Sequence, residues 1–271
     1  MKTTIFSLAA LTLALSGAVL GQAAAASPAP MFPFVMPWDD ASSGTLTDVS
    51  YLNAKPAGVN GFIVPKGSHF VESGTGRRVR FLAINFSAQQ AFPAHVDAEK
   101  IAAHLAKQGY NLIRLQHVDN NWGSSSGTLI DASFPDHQHL NPSQFETLDY
   151  LLAQLKKNGI YFNINLHVSR QFTAADGFPA SVSRIPFSFD KRVDEYDRRM
   201  IALQKSYARD LLTHVNPYTG LADTADPAMA VVEINNKNSL VGDPWAAPGI
   251  GSRSCRSRLR ASWSAPGTTG C

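Results

Sequence analysis

The stretch LDYLLAQLKKNGIYFNINLH, Leu148 to His167, decides how the chain is read. Its first half places Leu148, Leu152 and Leu155 on one face of a helix, together with Phe145 just upstream, and Gly159 is the expected stop. The second half, IYFNINLH, follows with no loop between and carries the β-rich apolar residues of a buried strand. Upstream, Asn141-Pro142-Ser143-Gln144 reads as a helix start: Asn141 caps, Pro142 takes the first helical position, and Gln144 has capping-box spacing.

Working outward, the same unit recurs on both sides. Asp97 is the expected N-cap of an earlier helix, with Ile101 and Leu105 one turn apart, Gly109 as its stop and YNLIRLQ (110–116) as its strand. A later helix is expected over about Asp194 to His214, with Ile201, Leu203, Tyr207 and Leu211 apolar and Asn216-Pro217 closing it. Met229 to Asn235 is then the fourth strand. Before all of these, Gly74-Thr75-Gly76 turns a hairpin that feeds a longer strand over Val79 to Phe86. Strands alternating with helices are parallel with right-handed crossovers, so the fold class is α/β. The long loops, from His117 to about Asn141 and from Val168 to about Lys191, both follow the carboxyl ends of strands, where α/β folds place their sites.

Composition bounds the rest. Residues 1–26 read as a signal peptide: Lys2 opens it, Ile5 to Leu20 is apolar, and Ala23 to Ala26 supplies small cleavage-site residues. A secreted protein, extracellular or periplasmic, with no membrane attachment after signal removal is the expectation. Residues 27–50 read as a leader, 51–240 as the folded part, and 241–271 as an irregular tail. The 271-residue chain has a net charge of +3, and the tail holds four arginines against Asp243, leaving 20 basic and 20 acidic residues elsewhere. An excess confined to a tail argues against a nucleic-acid partner, which would require a basic face on the folded domain. Both cysteines, Cys255 and Cys271, lie in the tail and could pair in an exported chain. The change of composition after Leu240, rich in Gly, Pro, Ser and Arg, suggests a truncated chain whose tail comes from an altered reading frame.

Polar residues gather at the strand ends. Arg114 and His117 close the second strand, His167 the third, and Asn235, Asn236 and Lys237 the fourth. Three strands delivering polar groups to one rim point to a binding or catalytic site. No third ligand accompanies Asp136-His137-Gln138-His139, so neither a metal nor another cofactor is expected.

NLIRLQHVD (111–119), LDYLLAQLKKNGIYFNINLHVSR (148–170), LLTHVNPYTG (211–220) and AVVEINNKNSL (230–240) together resemble the cellulase-like glycoside hydrolases of clan A, family 5 and its bacterial relatives. The resemblance covers about Asp48 to Leu240. It implies a (β/α)8 TIM barrel, here its first four strands with an N-terminal β-hairpin and an irregular C-terminal tail. It also implies retaining hydrolysis of β-linked polysaccharides, glucan or mannan. On this resemblance Arg114 matches the arginine that supports the nucleophile, His167 a histidine lining the sugar subsite, and Asn236 the asparagine at the sugar 2-OH. His117 fits a family His-His pair whose first member is here Gln116, and Trp122, Phe172 and Phe178 are loop aromatics that either stack on sugars or anchor their loops. Lys237 occupies the acid/base position, where the family has glutamate.

Retaining hydrolysis needs two carboxyl groups about 5 to 5.5 Å apart. A lysine with an ordinary pKa of about 10.4 is a weak acid at neutral pH and, while charged, no base. Glu233 lies four residues earlier, about 13 Å down the strand at some 3.3 Å per residue, and is expected to pair internally with Arg114. The chain is therefore expected to be inactive, the strand bearing the nucleophile also being absent from its 271 residues. The alternative is a non-catalytic secreted remnant that binds carbohydrate.

Overall fold

Two asparagines and a run of alternating side chains organise the structure. In the computed structural model, Pro33, Val35 and residues 37–121, 127–185 and 193–236 are described. Met1–Met36 and Pro37–Cys271 are separate units, and the described helices and strands all lie in the second. That unit opens with three antiparallel strands in the order β1 (Ile63–Lys66), β2 (His69–Glu72) and β3 (Arg78–Val79). The turn falls where expected, and Glu72, buried at its base, holds Arg77 across it with Oε1 2.7 Å from Nη2. The expected single strand over Val79 to Phe86 is divided: β3 ends at Val79 and β4 runs from Ala83 to Ser87. Asn111 explains the break, because its Oδ1 accepts the Leu82 N–H (2.8 Å) and its Nδ2 donates to the Arg80 carbonyl (2.8 Å). A side chain thereby occupies backbone groups that a strand ladder would otherwise use.

The remaining elements alternate: α1 (His95–Lys107), β5 (Leu112–Gln116), α2 (Pro142–Lys157), β6 (Tyr161–Asn165), α3 (Arg198–Leu212) and β7 (Met229–Glu233). Strands β4-β5-β6-β7 form one parallel sheet in chain order, which is the α/β class read from the sequence. Ile113, Leu115, Phe162 and Ile164 are buried in one cluster with Leu148, Leu151 and Leu155 of α2 and Leu105 of α1. Each such side chain contributes about 1.5–3 kcal/mol by leaving water. The alternate positions are polar. Asn85, Arg114 and Asn163 lie in register across three strands, and Asn165 lies beside Glu233. Because side chains alternate along a strand, these residues share the face opposite the helices.

Local chemistry sets the helix ends. Asn141 caps α2 as expected, accepting the Ser143 and Gln144 N–H groups at 3.0 and 3.1 Å. The capping box does not form, since the buried Gln144 Oε1 has no partner among the described residues. Helix α1 starts earlier than expected, with Ala94 at the cap position and no side-chain cap, and Asp97 sits in its first turn, facing the positive end of the helix dipole. Helix α3 starts later: Asp197, not Asp194, accepts the Arg199 and Met200 N–H groups, both at 2.9 Å. The fourth strand ends at Glu233, two residues short of the expected Asn235. In the segment read as a leader, Asp40 and Ser42 close over the last turn of α1, bonding the buried Lys107 Nζ at 2.5 and 2.8 Å.

Gly109 and Gly159 end α1 and α2 identically. The glycine N–H bonds the carbonyl three residues back and the next N–H bonds the one five back. Gly159 has φ +78°, and a Cβ there would lie 2.7 Å from the Ala54 carbonyl oxygen. Gly159→Ala is expected to destabilise the protein by about 1–2 kcal/mol from backbone strain, with the contact adding to it. Urea denaturation checks this, and a loss below a few tenths of a kcal/mol would show that the 53–55 segment yields freely.

Candidate functional site

The polar face ends in a network that spans all four strands of the parallel sheet. Arg114 on β5 reaches across β6 to Glu233 on β7 in a two-point pair, Nε to Oε1 and Nη2 to Oε2, both 2.6 Å. Asn163 and Asn165, from the intervening strand, donate their Nδ2 groups to the same carboxylate at 2.8 and 2.6 Å. Nη1 of Arg114 is bonded to Asn85 Oδ1 at 3.0 Å and Gln116 Oε1 at 2.5 Å. Both charged side chains keep just over a quarter of their surface exposed, 28% and 27%. Arg114 is the chief reason that the Glu233 carboxyl titrates below its ordinary range, with partial burial opposing and the two asparagines assisting. Glu233 in turn raises the Arg114 guanidinium, so the pair is charged at neutral pH. A carboxylate so committed is a poor proton donor. Arg114 is the internal partner expected of Glu233.

At the rim above this pair, Asn236 joins the network. Its Nδ2 donates to Gln116 Oε1 at 3.2 Å, and its backbone N–H donates to the His167 carbonyl at 2.9 Å. Gln116 thus links Arg114 to Asn236. His117 takes a left-handed backbone conformation, φ +58°, uncommon for a residue other than glycine. Its carbonyl accepts the Asn120 Nδ2 at 2.6 Å, and its Nδ1 lies 3.0 Å from Ser169 Oγ. Such strain, held by surrounding bonds, is frequent at functional rims.

His167 differs from expectation. The ring is 3% exposed, with Nε2 2.5 Å from Asp194 Oδ2 and Nδ1 3.4 Å from Asp119 Oδ2. Both nitrogens face carboxylates, where the expectation was a group lining a sugar subsite. Its main-chain carbonyl accepts the Asn236 N–H. Phe172 is likewise buried, packed at 5.7 Å against Phe178 in a small cluster with Val182, Met200 and Leu203. These two rings anchor their loop. Trp122 and Lys237, together with Cys255 and Cys271, lie outside the described residues.

The sequence alone does not single out Asp119, Asp194, Asn163 or Asn165. The two asparagines leave a signal in FNIN, where polar residues recur every second position, but Asp119 and Asp194 leave none. Asp119 is fully buried and accepts the backbone N–H groups of Val168 (2.7 Å), Ser169 (3.1 Å) and Arg170 (3.0 Å). Burial pushes its carboxyl up, but His167 and these N–H groups outweigh that and hold it below the ordinary value. In the 136–139 loop, His137 Nδ1 lies 2.6 Å from the Gln171 carbonyl and His139 stacks on Phe134 at 3.8 Å. Among the described residues no group of three side chains suits a metal ion.

No protein-family model and no curated protein sequence matches the chain. Solved structures do. An endo-1,4-β-mannanase from Rhizomucor miehei matches at 18% identity with a TM-score of 0.51, over 74% of this chain and 56% of that one. A mutant form of a glycoside hydrolase family 5 mannosidase from the same organism matches at 15% identity with a TM-score of 0.50, over 66% of this chain and 49% of that one. The chain spans about half the length of these structures and shares their fold over that part.

Proposed function

We propose that the chain is a glycoside-hydrolase-like protein of the family 5 type, forming the first four strands of a (β/α)8 barrel with the helices between them. It binds β-linked polysaccharide, mannan or glucan, at the carboxyl rim of the sheet. The observation that carries this reading is the Arg114–Glu233 pair, seated on Asn163 and Asn165 and joined through Gln116 to Asn236. A partly exposed array of amides around a fixed ion pair suits a polyhydroxylated ligand, which both donates and accepts hydrogen bonds. Export, as read from residues 1–26, would bring the chain to such polymers outside the cell.

Binding without cleavage is the form of this function that the chemistry favours. Position 237 carries lysine where the resembling family carries its acid/base glutamate. The acids described near the rim are already engaged, Glu233 by Arg114 and both Asp119 and Asp194 by His167. Affinity electrophoresis on mannan, cellulose and mixed-linkage glucan, run beside a reducing-sugar assay, tests the proposal. Retardation without sugar release is the expected result, reduced several-fold by Arg114→Ala. Sugar release would establish a hydrolase in its own right, and neither retardation nor release would sink the carbohydrate reading.

A further inference from the structure

Three separate segments meet at His167. Asp119 lies beyond β5, His167 beyond β6, and Asp194 ahead of α3. A neutral imidazole has one N–H and one lone pair, so a carboxylate at each nitrogen would leave one of them facing a lone pair. Two carboxylates, one per nitrogen, instead match an imidazolium, which donates from both. The surroundings carry further charge. Arg170, 3% exposed, is a second buried cation that donates Nη1 to the Leu203 carbonyl (3.2 Å) and Nη2 to the His137 carbonyl (2.5 Å), and Asp176, fully buried, is a third carboxylate acting on it. Beyond them lie Tyr207 of α3, its hydroxyl held protonated by burial, and His117, on the far side of Ser169.

This cluster is joined to the rim by a main-chain bond, from the Asn236 N–H to the His167 carbonyl. Asn236 then carries the connection on to Gln116 and Arg114. We propose that His167, clamped as an imidazolium between Asp119 and Asp194, is a positioning residue that sets Asn236 at the rim through its main-chain carbonyl. It makes no contact with the ligand. The consequence for binding rests on the proposed carbohydrate function; the clamp itself does not.

Burial alone would lower the imidazole pKa, but the hydrogen bonds to Asp119 and Asp194 prevail and push it up to about 9. Since this lies above the ordinary value of about 6.5, the clamp contributes fully below that pH and is lost as pH rises through about 9. The test is a ring-nitrogen titration by NMR on the full chain labelled with 15N-histidine and uniformly in the backbone. His167, assigned by side-chain-to-backbone correlations and by its loss in His167→Gln, is expected to be protonated on both nitrogens at pH 7.5. It should lose one proton near pH 9, and the Asn236 amide shift should follow the same midpoint. A neutral His167 at pH 7.5, or an Asn236 amide indifferent to its titration, overturns the proposal. Both readings come from the wild-type chain, so they survive if His167→Gln does not fold. Mannohexaose added to the same sample separates the two ideas: no shift at the rim counts against carbohydrate binding and leaves the clamp standing.

Discussion

Asp119→Ala is expected to lower the thermal midpoint by about 10 °C or more, the largest loss from any single side chain near the rim. The carboxylate is fully buried and serves the backbone N–H groups of Val168, Ser169 and Arg170 as well as the His167 ring. Each buried N–H left without an acceptor costs about 1–3 kcal/mol, and a buried ion pair that loses one partner costs about 3–5 kcal/mol. These penalties overlap, because relaxation that relieves one relieves another, so a total of about 4–5 kcal/mol is the reasonable expectation. Asp119→Asn separates the contributions: it retains one acceptor oxygen but removes the charge, and should lose less. Calorimetry at pH 7 on both variants provides the check. A drop of under about 3 °C for the alanine variant would mean that water replaces the carboxylate, and that the buried cluster is far looser than its distances imply.

The second large effect has the opposite sign. Asp223→Asn should stabilise the protein at pH 8 and leave it nearly unchanged at pH 4. Asp223 is buried near Asp149 and Asp226, and burial first, then those two carboxylates, pushes its pKa up to about 7. Lys156 bonds both oxygens of Asp226 at 2.9 Å, and His214 Nε2 lies 2.7 Å from Asp149 Oδ2, so each of these neighbours has a partner of its own. A carboxyl raised above its ordinary value binds its proton more tightly in the folded chain than in the unfolded one. Stability therefore falls as pH rises from about 4, and the full penalty is in place above about pH 7. The difference corresponds to an upper bound of about 4 kcal/mol at pH 8, at about 1.36 kcal/mol per unit. Denaturant melts of both proteins at pH 4, 6 and 8 measure it. A gain that does not grow with pH would assign the effect to packing around residue 223 and not to its ionisation.

These two acids also mark where the sequence is hard to read. Asp119 sits in a polar loop and Asp223 in the link between α3 and β7, and neither has a periodicity or spacing that announces burial. Asp194 reads as part of a helix because it precedes the apolar positions of α3; the cap belongs to Asp197, three residues on. His167 is legible as a strand-end residue, but its direction is not. A ring just past a strand can turn toward the rim or back under the loops, and the two carboxylates that decide the matter come from segments far away in the chain. Asn111 is a similar case, since nothing local indicates that its amide would interrupt the run from Val79 to Phe86.

The sequence by itself determined the alternation of strands and helices, the stops at Gly109 and Gly159, the Asn141 cap, and the placing of Arg114 and Glu233 on the polar side of their strands. Each depends on interactions a few residues long, or on a periodicity that selects which face a side chain occupies. Only the tertiary structure decided that His167 is buried between Asp119 and Asp194, that Asn163 and Asn165 support Glu233, and that Gln116 connects Arg114 to Asn236. The physical reason is that hydrogen-bond and ionic partners are chosen by distance in space. Burial then makes each choice costly to change, and neither distance nor burial is recorded in the order of residues along a loop.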